Sequence, residues 1–415
     1  MKILVINSGS SSLKFQVVDP ENEKALAKGV CERIGIDGIF NYRTDGGISL
    51  KEPVAMPDHK AAVGVLLSML VDPERGVLKD FSEIDVVGHR LVHGGEKFTG
   101  SVVITEEVIQ AMTECNDLAP LHNPANLVGV AACRELMPDI LMVGVFDTAF
   151  NQTMEPKAFL YGLPYRFYEK LKIRRYGFHG ISHKYVSRRA AEFMGQDYRR
   201  VKTIVCHLGN GASICAVKYG QVVDNSMGFT PLEGLVMGTR CGDVDAGALE
   251  YLAKKENLDF QQIMTILNQE SGVLGISSNF SSDFRELKDA EIKYNDKAAL
   301  AREIFVYRVA KYIGSYAAAM NGVDNIVFTA GVGENDSDIR EQICEYLEFL
   351  GIAIDEVKNR EQGEAVRISD GASRVNVLVV KTNEELEIAR EAAAVAAQVK
   401  ANRETKAKGA AHHAE

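Results

Sequence analysis

Two arginines lie inside glycine-rich runs, Arg90 in Gly88-His-Arg-Leu-Val-His-Gly-Gly95 and Arg240 in Gly238-Thr-Arg-Cys-Gly-Asp243. An arginine among glycines has little apolar surface to lie on, and its planar fork suits bidentate capture of a carboxylate or a phosphate. His179 is also flanked by glycine, in Tyr176-Gly-Phe-His-Gly180, and His122 stands just before Asn123. Either histidine can equally be a satisfied structural residue. Three small-residue segments follow apolar runs: Asn7–Ser12, Gly209–Ser213 and Gly331–Gly333. Glycine lets backbone N–H groups approach an anion, and serine hydroxyls add donors. Each segment alone reads as an ordinary turn, whereas three in one chain point to phosphate binding. None is a GxxxxGK[ST] loop, and the first leads into a strand, unlike the dinucleotide fingerprint. Asp147 closes an apolar strand, where it ligates, orients or caps. Glu384 opens the last helix, where a cap-region carboxylate is the ordinary reading.

These groups suit phosphoryl transfer, which needs positioning and charge neutralisation more than covalent chemistry. A hydroxyl acceptor would call for a general base. A carboxylic acid with a pKa of about 4 to 5 is already ionised at neutral pH and needs none. It must instead be held against a negative phosphate, the task that two arginines and a histidine answer.

The elements that position these residues alternate between strand and helix. Lys2–Ile6 reads as a buried strand, and Leu13–Val17 alternates as a second one after the Asn7–Ser12 loop. The order strand, loop, strand returns at Val201–Cys206, Leu208–Ser213 and Ile214–Val217. The letters Gln-Val-Val-Asp recur at positions 16–19 and 221–224, a slight hint of two related domains. Asn123-Pro124 reads as an N-cap followed by proline at N1, opening a helix to about Met137. Ile140–Phe146 is a strand, and Ser182 caps a helix to about Met194. Ile326–Thr329 is a strand with a turn at Ala330–Gly333, followed by a helix ending near Gly351. A final helix begins at Thr382 or Asn383, and the tail beyond about Lys400 is expected to fray. This alternation is α/β.

The chain has 415 residues, enough for two or three domains, with 46% hydrophobic and 25% charged residues. A net charge of −10 argues against a nucleic-acid partner, since neutralising phosphates needs basic surface. Seven scattered cysteines without a CxxC pair suggest neither a zinc site nor a disulfide framework, but free thiols in a reducing compartment. No apolar stretch approaches a membrane span, and the start turns polar too early for a signal peptide. A cytoplasmic protein without membrane partners is expected.

Taken together, Asn7–Phe15, His89–Gly95, Phe146–Phe150, Tyr176–Ser182, His207–Ser213, Ser226–Asp245, Thr329–Asn335 and Thr382–Glu385 resemble the acetokinase family. That family lies within the acetate and sugar kinase/Hsp70/actin superfamily. The resemblance runs from Met1 to about Arg390. It implies two duplicated ribonuclease-H-like (actin/Hsp70-type) domains, with mixed sheets flanked by helices and an active-site cleft between them. The boundaries expected are 1–149 with the helix 385–402 for the N-terminal domain, and 150–384 for a nucleotide-binding domain. Residues 403–415 form a disordered tail in this reading. The implied reaction is reversible, Mg2+-dependent transfer of the ATP γ-phosphoryl group to acetate, giving acetyl phosphate and ADP by direct in-line transfer. Mn2+ is the alternative ion.

Carried over residue by residue, Arg90 and Arg240 bind the carboxylate and the transferring group. His179 stabilises the transition state, and Asp147 positions the arginines or the metal-bound phosphates. Asn7 and Glu384 hold the metal, directly or through water. Lys14, His207, Leu208, Gly209, Asn210, Gly211, Gly331, Val332, Gly333, Glu334 and Asn335 contact the nucleotide. Val92, Leu121, Phe178 and Pro231 line the pocket for the substrate methyl. Ser10, Ser12 and His122 are supporting residues. Ala246 departs from the family pattern, in which proline often follows Gly242-Asp-Val-Asp245; no implied ligand is touched. The resemblance also implies a homodimer. The alternatives are a propionate or butyrate kinase of the same fold, and a noncatalytic ATP-driven binding protein of the actin/Hsp70 type. The last would need the loops but not Arg90, Arg240 and His179.

Overall fold

Fourteen strands form two mixed sheets in a computed structural model that describes residues 1–120 and 122–412, with 406–412 described through their backbone alone. The chain divides into two compact units, Met1–Ala149 with Asn383–Glu415, and Phe150–Thr382. Asn383 and Glu384 therefore belong to unit 1, two residues earlier than the expected boundary.

Unit 1 contains β1 (Ile3–Ser8), β2 (Ser12–Asp19), β3 (Lys24–Glu32), β4 (Ile39–Thr44), β5 (Ser49–Pro53), β6 (Val86–Leu91), β7 (Val102–Val103) and β8 (Leu141–Phe146). Their order is β5-β4-β3-β2-β1-β6-β8-β7. Unit 2 contains β9 (Lys202–Leu208), β10 (Ala212–Lys218), β11 (Gln221–Asn225), β12 (Asn325–Thr329), β13 (Ala365–Arg367) and β14 (Asn376–Val380), in the order β11-β10-β9-β12-β14-β13.

The two sheets share one wiring. β1 pairs antiparallel with β2 and parallel with β6, and β9 pairs antiparallel with β10 and parallel with β12. β8 and β14 extend the parallel side, and each carries an antiparallel edge strand, β7 or β13. This is one ribonuclease-H-like arrangement used twice, with β4 and β5 added to the first copy. The Gln-Val-Val-Asp echo does not follow the repeat. Residues 16–19 end β2, whose counterpart is β10, whereas residues 221–224 lie in β11. The true repeat sits in strand order, which four letters of sequence do not encode.

The central strands β1 and β9 each carry an unbroken apolar run, because helices cover the sheet faces. Ile3, Leu4, Val5 and Ile6 are buried, as are Ile204, Val205 and Cys206. Gly88 lets the last helix lie close on β6: a Cβ there would stand 2.9 Å from Ile388 Cγ2. That helix runs Glu384–His412, so helical backbone continues past the point where fraying is expected; 413–415 lie outside the described residues. Among the described residues no helix is long and apolar enough to cross a membrane. All seven cysteines are free, six of them buried, and burial raises the Cys31, Cys133 and Cys344 thiols to about 12.

Candidate active site

In unit 1 the groups of interest gather at the carboxyl ends of β1, β6 and β8. Arg90, next to last in β6, donates from Nη2 to Asp147 Oδ2 at 2.6 Å and from Nη1 to Asn7 Oδ1 at 3.4 Å. Its Nε stands 3.9 Å from Glu384 Oε2. Burial opposes the Arg90 charge, but Asp147 and Glu384 outweigh it and raise the pKa. Glu384 is pushed from 4.5 up to about 7, first by burial and further by Asp147 and Glu385, against the pull of Arg90 and Lys14. Four predicted residues thus meet, with Lys14 close enough to act on Glu384.

Sequence reasoning missed what holds them. Asn123 does not cap its helix (Asn123–Leu136), and that helix shows no side-chain cap bond. Its Oδ1 accepts from His93 N at 3.1 Å, and its Nδ2 donates to His93 O at 2.9 Å. Asn126, one turn on, accepts from Val92 N at 3.0 Å and donates to Ser8 O at 2.8 Å. These buried amides pin the segment after Arg90 to the end of β1. His59 Nε2 contacts Gly9 O at 2.7 Å and steadies the first loop, whose turn closes with Gly9 N to Ser12 O at 2.8 Å. The only sequence signal was asparagine spacing of one helical turn. Ser10 and His122 are exposed, Ser12 is half-buried and Val92 is buried. Leu121 lies outside the described residues.

The donors on this wall fit a hard cation. Among the described residues no group of three or more His, Cys, Asp or Glu side chains could cage a metal. Magnesium, however, is usually held by one or two carboxylates together with substrate phosphates. Asp147 Oδ1 is buried with no hydrogen-bond partner among the described residues, and Asn7 Oδ1 accepts a long bond of 3.4 Å from Arg90. These oxygens and Glu384 are the donor set such an ion takes.

In unit 2 a second set gathers around the loop between β9 and β10. His179 precedes the helix Gly180–Phe193 with φ +57°, a left-handed conformation costing about 1–2 kcal/mol for a non-glycine residue. The Phe178 carbonyl before it accepts from buried Asn225 Nδ2 at 3.1 Å. Ser182 is not a cap. It lies inside the helix, and its Oγ contacts His207 Nδ1 and Thr382 Oγ1, both at 2.8 Å. His207 stacks on His179 with ring centroids 4.2 Å apart. His207 therefore supports His179 from behind.

Arg240 reaches the same place from another segment. Gly238 N donates to Asn210 O at 2.9 Å, and a Cβ on Gly238 would collide with Asn210 Oδ1 at 1.6 Å. Glycine at 238 lets the Arg240 segment lie this close to the loop without displacing the Asn210 side chain. A Cβ on Gly211 would stand 3.7 Å from both Arg240 Nη1 and His179 Nε2. The loop, the arginine and the histidine therefore face one point. Arg240 also donates to Pro231 O at 3.2 Å, and burial lowers its pKa.

Gly331–Gly333 is not a turn. It lies in a short helix, Ala330–Asn335, that starts directly after β12 and is followed by the helix Ser337–Glu345. Glu334 Oε1 accepts from Ala330 N at 2.8 Å and from Thr382 N at 3.0 Å, so it serves the backbone. Buried Arg340, which the sequence did not single out, donates to the Gly333 and Glu334 carbonyls at 2.9 and 3.1 Å. Gly209, Asn210, Gly331, Val332, Asn335 and the stretch Ser282–Arg285 line a cavity of about 860 Å³, in the size range of small-molecule sites. Val332 and Gly333 are buried, as are Leu208 at the end of β9 and Phe178.

The acetokinase family's sequence profile matches residues 2–390. The chain belongs to the acetokinase family. A relative from Agathobacter rectalis named acetate kinase is 59% identical over 392 residues, 94% of this chain and 98% of its own. The crystal structure of Porphyromonas gingivalis acetate kinase superposes with a TM-score of 0.92 at 49% identity, covering 95% of this chain and 99% of that one. A propionate kinase structure from Francisella tularensis gives a TM-score of 0.87 at 40% identity, covering 94% and 98%. Family membership agrees with the duplicated sheet wiring of this acetokinase chain.

Proposed function

We propose that this chain is an acetate kinase, moving the γ-phosphoryl group of ATP reversibly to acetate with release of ADP and acetyl phosphate. The observation that carries the reading is the convergence of Arg240 Nη1 and His179 Nε2 beside Gly211. A cation and an imidazole at a backbone-lined loop suit the charge that develops on a transferring phosphoryl group. Acetate arrives ionised, so no residue need act as a base. Arg90 is assigned to the acetate carboxylate, and Asp147 orients its guanidinium. The cavity beside Asn210, Gly331 and Asn335 is assigned to the nucleoside, and the Gly209–Gly211 loop to its phosphates. Asn7, Asp147 and Glu384 would hold Mg2+, which supplies neutralisation of phosphate charge when bound. Lys14, Ser10 and Ser12 remain supporting phosphate contacts. Transfer is direct, with no phosphoenzyme, in a cytoplasmic homodimer.

Acid selectivity is assigned to Val92, with Leu121, Phe178 and Pro231 as the other apolar residues of the reading. A methylene is worth about 1–3 kcal/mol in such a contact. An acyl-hydroxamate assay with acetate, propionate and butyrate tests it. Acetate is expected to give a kcat/KM about tenfold or more above propionate. The second reading, a propionate kinase, is favoured by the similarity to the Francisella tularensis enzyme, and a higher kcat/KM with propionate would establish it.

A further inference from the structure

We propose that Ser213 and His183 set the tautomer of His179, so that His179 Nε2 carries the hydrogen and presents a donor beside Gly211 and Arg240. Ser213 lies in β10, fully buried. Its Oγ touches two ring nitrogens, His179 Nδ1 at 2.9 Å and His183 Nε2 at 2.7 Å. A hydroxyl has one hydrogen to give and two lone pairs. Among the described residues these two rings are its partners, so satisfying its own buried hydrogen requires it to donate to one ring and accept from the other.

His183 decides which. It is fully buried, and its Nδ1 has no hydrogen-bond partner among the described residues. Burial, helped by His207, holds its pKa well below 6.5, so the ring is neutral. A neutral imidazole carries one hydrogen. On Nδ1 that hydrogen would be an orphaned buried donor, the rarer and costlier kind of unsatisfied group. On Nε2 it has Ser213 Oγ as acceptor. His183 Nε2–H therefore donates to Ser213, and the Ser213 hydroxyl can donate only to His179 Nδ1. With Nδ1 accepting, neutral His179 bears its hydrogen on Nε2, the nitrogen that faces Gly211. Ser213 and His183 are positioning residues, touching nothing that reacts. The proposed phosphoryl transfer gives the donor its use, so the inference about catalysis rests on that reading.

The test is 15N NMR of the histidine-labelled full-length protein at pH 8, with His179 assigned from the signals lost in His179→Asn, alongside steady-state kinetics. The wild type is expected to show His179 protonated at Nε2 and bare at Nδ1. Ser213→Ala should give a mixture of tautomers, with kcat about tenfold lower, roughly the worth of one hydrogen bond, and the nucleotide KM within about twofold. Ser213→Thr keeps the hydroxyl and should restore both tautomer and rate. His183→Gln, which keeps an N–H near the Nε2 position, should behave like wild type. A wild-type spectrum with the hydrogen on Nδ1 overturns the proposal. So does Ser213→Ala with an unchanged tautomer, whatever its rate. If the wild type made no acyl phosphate, the proposed function would fall, and the spectrum alone would decide the tautomer.

Discussion

Arg90 and Asp147 meet at 2.6 Å at the ends of two neighbouring parallel strands, β6 and β8. Asp147 N donates to Leu91 O at 2.9 Å, so the ladder itself places the carboxylate beside the guanidinium. One Asp147 oxygen takes Arg90, and the other is buried without a partner among the described residues. Asp147→Asn replaces a charge-assisted bond worth about 1.5–3 kcal/mol. It should keep the fold and lower acyl phosphate formation by about a hundredfold or more. Activity within threefold of wild type would remove Asp147 from the site.

Glu384 provides a pH test. Its folded pKa, about 7, lies above the 4.5 of an exposed glutamate, so folding favours the protonated form. Its contribution to stability is fully present below about 4.5 and is lost as pH rises through about 7. The ligand-free protein should therefore show this part of its stability declining between about pH 5 and 8, and Glu384→Gln should remove that component. A bound divalent cation favours the ionised form, so the Mg2+ needed for half-maximal rate should fall from pH 6 to pH 8. Differential scanning fluorimetry and a Mg2+ titration at both pH values, in wild type and Glu384→Gln, check this. Identical slopes in the two proteins would contradict it.

Gly211→Ala isolates the unit 2 site. The added methyl stands in ordinary contact, 3.7 Å from Arg240 Nη1 and His179 Nε2, so folding should be unchanged within about 0.5 kcal/mol. It fills the space proposed for the phosphoryl group, and kcat/KM should drop about a hundredfold. A full-rate Gly211→Ala enzyme would place the reaction elsewhere.

Asn126 should matter through stability and position together. Asn126→Leu leaves Val92 N and Ser8 O without their buried partner, at about 1–3 kcal/mol for each unsatisfied group. Melting temperature should fall, and the residual folded protein should show a raised KM for acetate, because the Arg90 segment is no longer pinned. An unchanged melting temperature would show that the amide is replaceable.

Much of the site could be read from residue type and neighbourhood. Glycine-flanked Arg90, Arg240 and His179 stood out because such an environment has few structural uses. Asn123, Asn126, His59 and Arg340 did not, because a side chain that bonds backbone up to 118 residues away leaves no local pattern. Ser182 was misread for the same reason: near a helix start a serine resembles a cap, and only β9 running behind it reveals His207 as its partner. Gly331–Gly333 looked like a turn because glycine disfavours helix, but Arg340 and Glu334 supply the carbonyl and amide partners that let a short helix form there.

The sequence by itself determined the α/β alternation, the apolar central strands, the three small-residue segments and the cationic residues beside them, since these depend on periodicity and local chemistry. Tertiary structure alone decided that Arg90, Asp147, Asn7 and Glu384 share one wall, and that Gly211, Arg240 and His179 face one point. It also revealed that the repeat resides in sheet wiring rather than in matching letters. Those relations depend on strand order and on close backbone approach, which pairing between distant segments creates and no local window of sequence contains.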